Sequence, residues 1–102
     1  MIRGTTPTIT LKTKFDLRDW YIYATVENGL TEITFEGTQV SVRYENGYSF
    51  VSFSLTQEQT LKFPANTKCE IQLRAIKDGT AVASKVVSVD VGRILKDGVI
   101  IG

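Results

Sequence analysis

Apolar and polar residues alternate with a period of two along most of the chain. In the clearest run, residues 20–26, Trp20, Ile22, Ala24 and Val26 alternate with polar or tyrosine residues. Successive side chains of a β-strand point to opposite faces, so this pattern is typical of a strand with one buried face. Six similar runs lie at about residues 8–12, 32–36, 40–45, 51–55, 69–75 and 87–91. The pattern therefore predicts about seven strands.

Pairs of a polar residue and glycine separate these runs. Asn28-Gly29, Asn46-Gly47 and Asp78-Gly79 each lie between two alternating segments. Such pairs supply the positive φ angles that tight hairpin turns need. Glu36-Gly37 is a weaker signal of the same kind. Asp97-Gly98 lies in the C-terminal segment, where it predicts either a small hairpin or an extended arm.

One segment, residues 56–61, breaks the alternation. Thr56 and Gln59 have the spacing of a capping box, in which each side chain binds the other residue's backbone N–H. This spacing predicts one short helical turn that crosses from one sheet to the other. Leu61 and Phe63 would then close the end of the core.

Short strands about 10 residues apart, with one crossover, favour an all-β fold. We expect an immunoglobulin-like, two-sheet antiparallel β-sandwich, and a small β-barrel is the alternative. The length of 102 residues fits a single domain over residues 1–102. Residues 1–7 and 93–102 are candidate extended arms of that domain.

Composition gives little support for catalysis or metal binding. The chain has no histidine, which is the commonest general base and transition-metal ligand. Its single cysteine, Cys69, cannot form an intrachain disulfide or a cysteine-based zinc site, and the alternation places it inside. Asp16 and Asp19 could hold a hard cation, but the pattern favours a solvated loop in which Asp19 opposes Arg18. We therefore expect no enzyme, no catalytic residue, no cofactor and no metal.

Charge and hydropathy also limit the classes of partner that we expect. The formal net charge is +1, which gives no electrostatic reason to expect nucleic acid or an anionic membrane. No apolar run approaches the roughly 18 residues needed to span a bilayer. No small-molecule substrate is expected either.

Outward-facing aromatic residues are the first candidate contact surface. Tyr21 and Tyr23 lie on the strand face opposite Trp20, and Tyr48 and Phe50 lie near a hairpin tip. Tyrosine is enriched at protein interfaces, but it also stabilises sheets through cross-strand pairs and stacks on sugars or bases. All three roles remain open at this stage.

The apolar end of the chain is the second candidate. Val99, Ile100 and Ile101 follow the last Gly-containing turn signal. They either add a strand to the domain's own sheet or dock on a neighbouring copy by strand addition. With the four aromatic residues, they make up the predicted interface.

The chain resembles a family of small proteins, about 100 residues long, from tailed phages and prophages of Gram-positive gut bacteria. The resemblance lies in the segments RGTTPT at 3–8, LTQEQTLKF at 55–63, EIQLR at 70–74, SVDVG at 88–92 and LKDGVI at 95–100. The layout is also similar to the N-terminal β-sandwich of phage upper baseplate proteins. No long coiled coil or receptor-binding region follows the sandwich here, so a scaffold for receptor binders is not expected.

The resemblance implies a non-enzymatic virion or tail-associated structural protein. It would be made in the bacterial host cytoplasm and located in the virion, where it contacts other phage structural proteins or further copies of itself. A ligand-binding module, for instance for cell-surface carbohydrate, is the alternative. In that case Tyr21 and Tyr23 would stack on the sugar.

Overall fold

The computed structural model describes residues 1–102 and contains eight strands in two antiparallel sheets. The strands are β1 Thr8–Thr13, β2 Tyr21–Glu27, β3 Glu32–Glu36, β4 Ser41–Glu45, β5 Tyr48–Ser54, β6 Lys68–Lys77, β7 Thr80–Ala83 and β8 Val87–Asp90. A 3-10 turn covers Gly37–Gln39 and a short helix, α1, covers Gln57–Leu61. The predicted all-β sandwich is confirmed.

The smaller sheet has the strand order β1-β5-β4, and the larger has β3-β2-β6-β7 with β8 also paired to β6. This arrangement matches the B-E-D and C′-C-F-G strands of an immunoglobulin-like sandwich. The two sheets enclose one core, in which Phe35 and Phe53 meet with ring centroids 4.9 Å apart. No closed barrel forms.

The strand count exceeds seven because β7 and β8 share one edge of β6. They pair with its C-terminal and N-terminal halves respectively. Ser84 lies between them, where its N–H donates to Leu73 O and its Oγ accepts from Leu73 N, both at 2.9 Å. A side-chain oxygen thus replaces a backbone carbonyl where the edge strand is interrupted.

The three strong turn signals give hairpins. Asn46-Gly47 and Asp78-Gly79 each place both central residues in the left-handed region, with φ between 50° and 83°. This geometry belongs to type I′ turns, whose twist suits adjacent antiparallel strands. Asn28 closes the β2–β3 turn by donating its N–H to Thr31 O at 3.0 Å.

Helix α1 connects the smaller sheet to the larger one, as predicted. Gln59 N donates to Thr56 Oγ1 at 3.2 Å, and Thr56 N donates to Gln59 Oε1 at 2.9 Å, so the capping box is confirmed. Thr60 is buried and donates its hydroxyl to Thr5 O at 2.9 Å. Phe63 is fully buried at the end of the core, and Leu61 is half-buried beside it.

Residues 1–7 are docked against the domain. Ile2 pairs with Gly92 in an isolated parallel bridge, two residues beyond the end of β8. The Arg3 side chain donates from Nε to Phe63 O at 2.8 Å and from Nη2 to Leu61 O at 3.0 Å. The beginning of the chain is therefore tied to the connection between α1 and β6.

Residues 93–102 contain neither a strand nor a hairpin, although Gly98 has the positive φ of a turn, at 85°. The predicted small hairpin is therefore not observed, and the backbone of this segment is irregular, with bends at residues 95, 96 and 98. No helix is both long enough and apolar enough to cross a membrane.

Candidate contact surfaces

The predicted tyrosine pair lies on the outer face of the larger sheet. The Tyr21 and Tyr23 ring centroids are 5.2 Å apart in an edge arrangement. Tyr21 donates its hydroxyl to Glu36 Oε1 at 3.1 Å, and its ring lies over Gly37, where a Cβ would be 3.1 Å from the hydroxyl oxygen. The hydrogen bond to the Glu36 carboxylate raises the pKa of Tyr21, and burial adds to the shift. The two rings pack against each other on the sheet surface, yet 45% of the Tyr21 surface remains exposed.

The other two predicted aromatics lie on the opposite side of the molecule. Tyr48 and Phe50 are on the outer face of the smaller sheet, where both are half-buried. Lys12 Nζ lies 4.0 Å from the Tyr48 ring centroid, and Arg43 Cζ lies 4.7 Å from that of Phe50. Cations over ring faces are attracted by the ring quadrupole. The four aromatics thus belong to two separate surfaces, which the alternation within each strand could not show.

An acidic row crosses the outer face of the larger sheet. Glu27 on β2 is directly opposite Glu32 on β3 and Glu70 on β6. None of the three carboxylates lies within 4.0 Å of a lysine or arginine nitrogen. Like charges in direct cross-strand register destabilise a sheet. Sequence reasoning missed this row because the pairing of residues 27 and 70 depends on the fold.

The C-terminal segment, residues 95–102, lies beside α1 with its apolar side chains exposed. Leu95 and Ile101 have 91% and 99% of their surface accessible, and Val99 and Ile100 are exposed as well. The Gln57 amide makes two hydrogen bonds with the Ile100 backbone, one from Nε2 to O at 3.1 Å and one from Ile100 N to Oε1 at 2.8 Å. We call this segment the tail.

The tail has only weak further attachment to its own domain. Asp97 lies 3.8 Å from the Arg3 guanidinium, and the Asp97 side chain is 86% exposed, so this ion pair contributes little. The hydrogen bonds to Gln57 orient one residue of the tail. Val99 and Ile100 are about half covered, whereas Leu95 and Ile101 remain almost fully exposed.

The predicted acidic loop contains an ion pair, but its partner differs from the expected one. Asp16, rather than Asp19, binds Arg18, with Nη2–Oδ2 and Nε–Oδ1 distances of 2.6 and 2.9 Å. This hydrogen bonding to Arg18 lowers the pKa of Asp16. Asp19 has a positive φ of 66° in the following turn. No group of three or more cysteine or carboxylate side chains has a metal-binding arrangement.

Cys69 is fully buried on β6, as the alternation predicted. Burial raises the pKa of its thiol, because the thiolate loses hydration. The side chain is therefore held in the less nucleophilic thiol form.

A shallow groove opens where β5 continues beyond Ser41, the first residue of β4. Phe35 and Phe53 are the two hydrophobic residues in its lining, and none of its lining residues is charged. The hydrogen-bonding side chains in the lining are Thr8, Gln39, Ser41, Ser52, Ser54, Thr56 and Gln59. Neither Tyr21 nor Tyr23 contributes to it.

Protein-family profiles and curated proteins were compared with the chain, and no match was found in either set.

Proposed function

We propose that this protein is a non-enzymatic structural component of a tailed-phage virion, which works through contacts with copies of itself and with other structural proteins. The observation that carries the contact role is the tail, an apolar segment that leaves its side chains in solvent. The sequence resemblance to small phage proteins supports the virion role.

The energetics of the tail favour a contact with a neighbour. Full burial of an isoleucine or leucine side chain stabilises a protein by about 1.5–3 kcal/mol. Leu95 and Ile101 gain almost none of this on their own domain, because both are more than nine-tenths exposed. Docked on a neighbouring molecule, the same side chains would lose that exposed area. An extended segment can also pair with an open sheet edge, such as β3 or β4 here.

Deletion of residues 95–102 tests this role. Ile94 is kept because its side chain packs against Gly4 near Leu61. We expect the urea midpoint of the shortened chain to fall only slightly, because Leu95 and Ile101 are almost fully exposed and Val99 and Ile100 only about half covered. We also expect it to associate more weakly than the full chain in sedimentation velocity. An unfolded product would show that the tail belongs to the core, and unchanged association would remove the tail from the contact.

A pair of point variants separates the tail from exposed hydrophobicity in general. Ile101 and Leu30, in the β2–β3 turn, are each 99% exposed. Ile101→Asp should weaken association by at least about tenfold, since about 1.5–3 kcal/mol for one buried side chain of this size corresponds to a factor of about ten or more. Leu30→Asp should leave it unchanged. Equal effects of the two variants would contradict a specific role for the tail.

The uncharged groove supports a second candidate function, the binding of a neutral carbohydrate. Side-chain hydroxyls and amides hydrogen-bond to sugar hydroxyls, and in Gln39 and Gln59 the oxygen already accepts from a backbone N–H. Their amide N–H groups are therefore oriented and available as donors. Addition of maltotriose should shift the backbone NMR signals of Ser52 and Ser54 at millimolar concentration. No shift with maltotriose, or equal shifts all over the chain, would count against this function.

A further inference from the structure

The acidic row on the larger sheet has a counterpart on the other side of the molecule. On the smaller sheet, Phe50 of β5 is directly opposite Lys12 on β1 and Arg43 on β4. Both cationic side chains are exposed. Lys12 forms no ion pair, and Arg43 binds only the exposed Glu45, at 2.9 Å. We call Lys12, Phe50 and Arg43 the cationic row.

The acidic row of Glu32, Glu27 and Glu70 has the same construction. Each row takes one residue from each of three adjacent strands, with the central strand paired to both neighbours. Adjacent strands lie about 4.8 Å apart, so the outer members of either row are about 10 Å apart. The two rows therefore match in width and are opposite in charge.

The carboxylates of the acidic row also lack cationic partners within the monomer. Its one short-range contact is the hydrogen bond that Glu27 accepts from the Gly29 N–H. The direct opposition of like charges destabilises the sheet, and cations placed over the row would relieve it. The net charge of the chain is only +1, so attraction between copies would come from these faces and not from overall charge.

We propose that the acidic row of one copy docks on the cationic row of a second copy. This inference rests on the proposed contact function and names the partner and the surface. In the contact, Lys12 and Arg43 face the carboxylates of the acidic row. Because two different surfaces meet, the contact is heterologous, and successive copies extend it into a ring or a linear array.

Charge reversal tests the contact in the full-length chain by sedimentation velocity. Glu27→Lys/Glu70→Lys makes both rows cationic, and Lys12→Glu/Arg43→Glu makes both rows acidic. Each double variant alone should associate at least about tenfold more weakly than the native chain, because like charges then face each other. A mixture of the two variants should associate again, since each supplies the row that the other lacks.

Two controls show whether a loss of association comes from the rows themselves. Lys85→Glu/Arg93→Glu has the same change in net charge as the cationic-row variant but lies outside both rows, and should associate like the native chain. Unchanged urea unfolding should show that every variant is folded. Self-association of either row variant at native strength, or failure of the mixture to recover it, would overturn the row contact while leaving the tail-dependent function standing. A native chain that is monomeric at all concentrations would overturn both.

Discussion

Phe63→Ala should remove about 3–5 kcal/mol from the free energy of unfolding, the largest loss expected for any single truncation discussed here. Phe63 has no exposed surface and lies where α1 leads into β6, at the end of the core. Truncation removes the transfer free energy of the ring and leaves a cavity that the two sheets cannot close without shifting. For a domain whose total stability is about 5–15 kcal/mol, this is a large fraction.

Urea unfolding measures this effect, and the chain offers a matched control. Phe15 is 46% exposed, so Phe15→Ala should cost less than about 1 kcal/mol. The difference between the two midpoints isolates burial from residue type. Similar losses for both variants would mean that Phe63 does not close the core.

Arg3→Met should lower the free energy of unfolding by about 1.5–3 kcal/mol, although Arg3 is only the third residue. Its guanidinium donates two hydrogen bonds, to the carbonyls of Leu61 and Phe63. Methionine keeps much of the aliphatic stem but leaves both carbonyls without these donors. Limited proteolysis should also cut residues 1–7 sooner, because the side chain that ties them to the α1–β6 connection is gone.

Arg93→Met is the control for this substitution. Arg93 is exposed and forms neither a side-chain hydrogen bond nor an ion pair, so its loss should change the unfolding free energy by less than about 0.5 kcal/mol. If Arg3→Met were as mild, the contacts of the guanidinium with the two carbonyls would be irrelevant to stability.

The features that the sequence predicted well depend on local geometry. The period-two pattern located the strands, since half of each strand faces the core. Asn46-Gly47 and Asp78-Gly79 predicted their turns because few residue pairs tolerate positive φ at both positions. The capping box at Thr56 and Gln59 needs only a fixed spacing of three residues.

The features that the sequence did not predict depend on residues far apart in the chain. The division of the edge strand into β7 and β8 follows from hydrogen bonds between Ser84 and Leu73. The acidic row follows from the register between β2 and β6. Alternation showed that Tyr21 and Phe50 face away from the core, but it could not assign them to different sheets.

The candidate contact surfaces are ones that a search for an active site would pass over. The tail is exposed and apolar, and the two outer sheet faces differ in charge. If the tail docks as we propose and the rows meet as inferred, one copy contacts its neighbours through surfaces at several places around the sandwich. Such a protein would act by holding its neighbours at regular positions in an assembly, with no covalent bond made or broken.

Hydrogen–deuterium exchange of the tail, followed as the protein concentration rises, tests the central claim most directly. Gln57 holds the backbone N–H of Ile100 in the monomer, while the tail makes no strand. We predict fast exchange of the tail amides other than that of Ile100 in dilute solution and marked slowing at concentrations where the protein associates, with the core strands protected throughout. Fast exchange of the tail in the associated protein, or slow exchange already in the dilute monomer, would contradict the account.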